Sequence, residues 1–145
     1  MLLLSTILSS LLLSTLLRFL VESSLTDRVS LLSDLVGLQL QENAGIAFGI
    51  GLSLPLLLLL AAFAVLLLLR AALHAQECQE IVGYGLILGG ALANLLDRVD
   101  DGVVTDFLQV GTFPVFNLAD SCIAIGVLLI LAKLAQSRSA RTRRQ

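Results

Sequence analysis

The chain has 145 residues, of which 57% are apolar and only 14% charged, with a mean hydropathy of +0.98. A water-soluble domain of this length has too little polar surface to cover so much hydrocarbon, so the composition points to a bilayer as the solvent. A net charge of −2, two cysteines and one histidine argue against a disulfide framework, a histidine-built metal site and a Ser-His-Asp triad.

The first apolar run, Leu2 to Val21, carries Ser5, Ser9, Ser10, Ser14, Thr15 and Arg18. About 20 residues at 1.5 Å rise cross roughly 30 Å of hydrocarbon, so a membrane helix is expected. The competing reading, a cleaved signal peptide, lacks the basic start and the A-x-A-like site. Hydroxyls in such a helix bond back to their own backbone or allow close packing, and Arg18 near the end is expected to snorkel toward the interface. From Glu22 the chain turns polar. After Gly37 the order Leu38-Gln39-Leu40-Gln41 alternates apolar and polar, which fits a short surface strand or a plain loop.

A second span is expected from Ile46 to Leu69, passing through Pro55 and ending at Arg70. Gly45 and Gly49 precede and open it with the four-residue spacing that lets helix backbones approach. A third is expected over Ile81 to Arg98, where Gly85 and Gly89 repeat that spacing. Asn94, Asp97 and Arg98 then follow at intervals that place them on one helix face. Asp97 and Arg98 pair either with each other or with separate partners. Asp100-Asp101-Gly102 reads as a turn with solvated acids, and Val103 to Leu108 is β-prone. The fourth span is expected over Asn117 to Leu134, followed by Arg138, Arg141, Arg143 and Arg144. Arginines after a span mark the cytoplasmic side, a better account of them than nucleic-acid binding.

The expected architecture is therefore one all-α membrane domain, residues 1–145. Its helices lie at about 2–21, 46–69, 81–98 and 117–134, its external segments at 22–45 and 99–116, and its cytoplasmic tail at 135–145. Both termini are then cytoplasmic and the acidic loops external.

Five of the seven aspartates, Asp97, Asp100, Asp101, Asp106 and Asp120, fall within Gly89 to Asp120. Carboxylates beside hydrocarbon are costly and mark function by default. Asp106 on a returning β-prone segment and Asp120 in the first turns of the last helix are separated by a GTFP bend that can fold one onto the other. Two neighbouring carboxyls share a proton: one takes a proton from water while the other polarises a peptide carbonyl. This is amide hydrolysis without metal or cofactor. The plainer alternative leaves Asp120 as a helix-terminal cap, Asp106 as a solvated loop residue, and Asn43, Asn94 and Asn117 as caps or interhelical glue.

Asn43-Ala44-Gly45-Ile46-Ala47-Phe48-Gly49, Gly89-Gly90-Ala91 through Asn94, Asp97-Arg98, Gly102, Val104, Asp106-Phe107 and Phe116-Asn117-Leu118-Ala119-Asp120 together resemble the lipoprotein signal peptidase (signal peptidase II) family. The resemblance runs in order from about Asn43 to Gly126. It implies a four-helix aspartic protease of the bacterial inner membrane with a small extracytoplasmic β-cradle near Leu35 to Gln41. Such an enzyme cuts prolipoproteins before a diacylglyceryl-bearing cysteine at the extracytoplasmic face, working as a monomer among membrane lipids. It implies Asp106 and Asp120 as the catalytic pair, and Asn43, Gly45, Asn94, Arg98 and Asn117 as substrate-binding residues. Asp97, Ser14 and Arg18 then give support, with Val99 to Thr105 helping to cover the site. The first helix departs from the family pattern, carrying Ser14 and Arg18 where an Asp and, four residues on, a Lys are usual; Ala93 replaces a usual glycine. Two other classes remain for the same acids: a small proton- or cation-conducting bundle, and an inactive relative that only binds substrate.

Overall fold

The computed structural model describes residues 1–32, 35–44 and 53–142, with side chains through Ser137. Its order is α1 (Leu2–Ser24), β1 (Val29–Leu32), β2 (Val36–Asn43), α2 (Leu54–Leu73), α3 (Cys78–Asp100), β3 (Val104–Val110) and α4 (Leu118–Thr142). All four helices are long and apolar enough to cross a membrane. The fold is a four-helix membrane bundle with a small three-stranded antiparallel sheet, ordered β1-β2-β3.

Helix ends differ from the sequence expectation for local reasons. In α1 one more turn carries Glu22 alongside Arg18, where the two side chains bond at 2.7 Å. Pro55 is not a mid-helix interruption: α2 follows Ser53 with Pro55 in its first turn, where the missing N–H costs nothing. The expected start of that span, Gly45 to Leu52, lies outside the described residues. The last helix continues past Leu134 to Thr142, through Ala, Gln, Ser and Arg, which tolerate helix well once outside hydrocarbon.

Helix α3 is the hub, packing against α1, α2 and α4. Its glycines make this possible. Gly85 and Gly89 face Thr6 and Ser10 of α1, while a Cβ on Gly90 would stand 2.5 Å from the Ala119 carbonyl of α4. Across the same seam, a Cβ on Gly126 would meet the Gly83 carbonyl at 2.5 Å and Ile87 at 2.7 Å. We therefore expect Gly126→Ala, harmless by helix propensity alone, to lower stability in detergent by about 1–3 kcal/mol through overpacking. A thermal melt followed by helical signal checks this; an unchanged midpoint contradicts the tight seam.

The alternating segment is a strand. Through β2, Val36 pairs with Val110, Leu38 with Leu108 and Gln41 with Asp106, and a bulge lies between Leu38 and Gln41. Beyond β3, Gly111 adopts a positive φ of 54° and the chain folds back on itself. Phe116 exchanges backbone bonds with Leu108 (2.7 and 3.0 Å) and also accepts one from Phe107. That return delivers Asn117 beside Asp106 at the start of α4. Phe107 and Leu88, each 1% exposed, and Asp106, 2% exposed, are the most buried large side chains.

Candidate active site

Four elements meet where the sheet joins the bundle. The register of β2 on β3 sets Asn43 opposite Val104, and its amide donates to Asp106 Oδ2 at 3.1 Å. Asn117, immediately before α4, donates from Nδ2 to Asp106 Oδ1 at 2.9 Å and to Asn94 Oδ1 at 3.1 Å. Its own Oδ1 accepts the backbone N–H of Asp120 at 2.9 Å, an N-terminal cap that fixes the side chain's orientation. Asn94 of α3 completes the ring by donating to Asp120 Oδ1 at 2.8 Å. The two carboxylates are thus linked through two asparagine amides.

Asp106 is held in an environment that disfavours its charge. Burial pushes its carboxyl up from 3.8 to about 6. The Asn43 amide works against this, the neighbouring Asp120 charge adds to it, and the Asn117 amide and Arg98 guanidinium pull it partly back. The consequence for stability has a definite sign. The folded state holds this proton more tightly than the unfolded chain, so the contribution is fully present below about pH 4 and is lost as pH rises through about 6. We expect the thermal midpoint to carry a downward slope across that window, and Asp106→Asn to remove this component. A slope equal in both proteins would show that Asp106 is not its source.

Arg98 donates from Nη1 to the Asn94 carbonyl at 3.2 Å, and the charges of Asp120, Asp106 and Asp97 all act on it. Asp97 is not its partner in an ion pair; it pairs with Arg18 across 2.8 Å. Arg18 was expected to snorkel, yet its side chain is only 15% exposed. Three aspartates at the end of α3 give it a better partner than the interface: Nη1 reaches Asp97, and Nη2 reaches Asp100 at 3.4 Å and Asp101 at 3.3 Å. Asp100 and Asp101, expected as solvated turn acids, are exposed but also belong to this clamp, and Asp101 Oδ1 accepts the Val103 N–H at 3.1 Å.

Glu22 was missed by sequence reasoning. It bonds Arg18 and accepts the Thr105 hydroxyl at 2.6 Å, tying α1 to the residue before Asp106. Its spacing of four from Arg18 was the available signal. Ser14 is buried in the same region, and Gly45 lies outside the described residues. An open groove of about 550 Å³, lined by Arg18, Glu22, Gln41, Glu42, Asp101 and Thr105, runs beside the strand that carries Asp106.

The family model described as signal peptidase (SPase) II matches residues 6–136. The chain belongs to the signal peptidase II family. A lipoprotein signal peptidase of Rhodococcus jostii (strain RHA1) is 41% identical over 110 residues, covering 71% of this chain and 56% of that protein. One from Halothermothrix orenii is 35% identical over 113 residues, covering 77% and 78%. The chain thus spans little more than half the length of its Rhodococcus relative. A solved bacterial membrane enzyme, determined by the in meso method, superposes with a TM-score of 0.88 over 95% of this chain and 90% of its own, at 24% identity. At that identity the likeness speaks for the fold. Within the signal peptidase II match fall Asn94, Asp97, Arg98, Asp106, Asn117 and Asp120, all drawn together at the junction of sheet and bundle.

Proposed function

We propose that this protein is an intramembrane aspartyl endopeptidase that removes signal peptides from diacylglyceryl-modified prolipoproteins by dyad-activated water. One observation carries the reading: Asp106, almost wholly buried and holding its proton up to about pH 6, is coupled through Asn117 and Asn94 to Asp120. Membership of the signal peptidase II family supports it, as do relatives that bear the name lipoprotein signal peptidase.

The chemistry follows from a proton shared between two neighbouring carboxyls. Asp106, whose burial favours its protonated form, hydrogen bonds the scissile carbonyl and polarises it. Asp120, acting as general base, accepts a proton from the attacking water. As the tetrahedral intermediate collapses, the roles reverse and the leaving amine receives that proton. Asn43, Asn94 and Asn117 keep the carboxylates in place, and the Arg98 charge stabilises the anionic stage. The precursor's extended segment enters along the open groove beside Thr105, from the extracytoplasmic side. The termini then lie in the cytoplasm, the membrane is the bacterial inner membrane, and the enzyme acts as a monomer.

Purified protein in detergent should convert a diacylglyceryl-modified precursor to a product lighter by its signal peptide, read by mass. A matched precursor lacking the lipid should remain intact. An uncut lipidated precursor, with the protein folded, would overturn the proposal.

A further inference from the structure

Most hydroxyls on these helices follow one habit, and the α1 residues without it, Thr15 and Ser24, are exposed to the surroundings. Ser5, Thr6, Ser9, Ser10, Ser23, Ser121 and Ser137 each donate to a carbonyl three or four residues back. In hydrocarbon that bond is a serine's simplest way to avoid an unsatisfied polar group. Ser14 departs from it. Its Oγ is buried, the residue is 5% exposed, and it forms no hydrogen bond among the described residues, although it stands near enough to the Cys122 thiol to act on it.

Ser14 borders a cavity of about 10 Å³ whose other polar walls are Arg18, Asn94, Asp97, Thr105 and Asn117. A volume of that size suits the centre of a single water, provided it finds two to four polar partners. The inventory supplies them. Asn94 spends one N–H on Asp120 and keeps the other; Asn117 Oδ1 takes the Asp120 N–H and keeps a lone pair; the Ser14 hydroxyl both donates and accepts.

We propose that Ser14 holds one buried water in the seam between α1, α3 and α4, and that this water ties α1 to the Asn94–Asn117 amide pair orienting the two carboxylates. Ser14 is then a positioning residue, acting through amides that themselves touch the acids. A water-mediated bond of this kind is nearly as good as a direct one. It gives helix α1 a hold on the site through a short side chain that could not span the gap alone. The kinetic consequence rests on the aspartyl-dyad reading; the water itself does not.

High-resolution crystal structures of the unaltered protein and of Ser14→Ala test the water. Density is expected within hydrogen-bond distance of Ser14 Oγ and of an Asn94 or Asn117 amide, and is expected to vanish in Ser14→Ala. Kinetics on the lipidated precursor test the role. Ser14→Ala should lower kcat roughly three- to tenfold, the share of one hydrogen bond, with KM unchanged. Ser14→Asn, whose amide reaches into the water's place, should recover most of that loss, which a merely structural defect would not allow. A dry seam in a map that resolves other buried waters, full kcat in Ser14→Ala, or no recovery in Ser14→Asn would each overturn the proposal. Should Asp106→Asn remain active, the dyad reading falls while the density stands.

Discussion

Asp106→Asn and Asp120→Asn are each expected to reduce cleavage of a lipidated precursor by roughly 10³-fold or more, while the protein still inserts and keeps its helical content. Removal of a general acid or base costs roughly 10²–10⁴-fold, and in a dyad either loss disables both halves of the proton exchange. For the same reason the double variant should be hardly slower than either single one, since groups that act as a unit do not add. The substitutions preserve volume, which matters because Asp106 is 2% exposed. They do not preserve polarity: at position 106 an amide would turn its NH2 toward one of Asn43 and Asn117, both of which already donate there. Folding must therefore be measured beside cleavage. Cleavage persisting in either variant, with the fold intact, would remove the dyad.

The sequence makes some of this legible and hides the rest, and the division has a physical basis. Spans are read from hydrocarbon runs, a local property set by bilayer thickness. The Leu38 to Gln41 alternation reports a strand with two unlike faces. Asp106 and Asp120 can be singled out because a carboxylate among Leu and Val has to be explained. What could not be read is whatever depends on distant encounters. Arg18 of α1 pairs with Asp97, 79 positions away, and no periodicity links the two. The bulge between Leu38 and Gln41 changes which β2 residues face Asp106, and the return of Phe116 onto Leu108 decides where Asn117 stands. Both belong to tertiary pairing. Pro55 shows the opposite failure: its local rule, a place in the first helical turn, was overridden by reading a long apolar run as one span.

Arg18→Met should destabilise the protein by about 3–5 kcal/mol in detergent. The reason is what it leaves behind. Asp97 is 5% exposed, and its side chain loses a guanidinium at 2.8 Å, so a buried carboxylate stands uncompensated. Asp100 and Asp101 contribute little to this figure, because their side chains are 74% and 45% exposed and water screens them. Two further variants separate charge from packing. Arg18→Met combined with Asp97→Asn removes both ends of the pair, and most of the lost stability should return. Arg18→Lys keeps one charge but lacks the planar fork that serves Glu22, Asp97, Asp100 and Asp101 together, so an intermediate loss is expected. If the double variant unfolds as early as Arg18→Met alone, the side chain acts by packing and the ion-pair account is wrong. On the proposed aspartyl-dyad reading the clamp bears on catalysis as well, because Glu22 joins Arg18 to Thr105, one residue before Asp106. A double variant that regains stability without regaining cleavage would show that this tie to β3, more than the charge balance at Asp97, is what the dyad requires of helix α1.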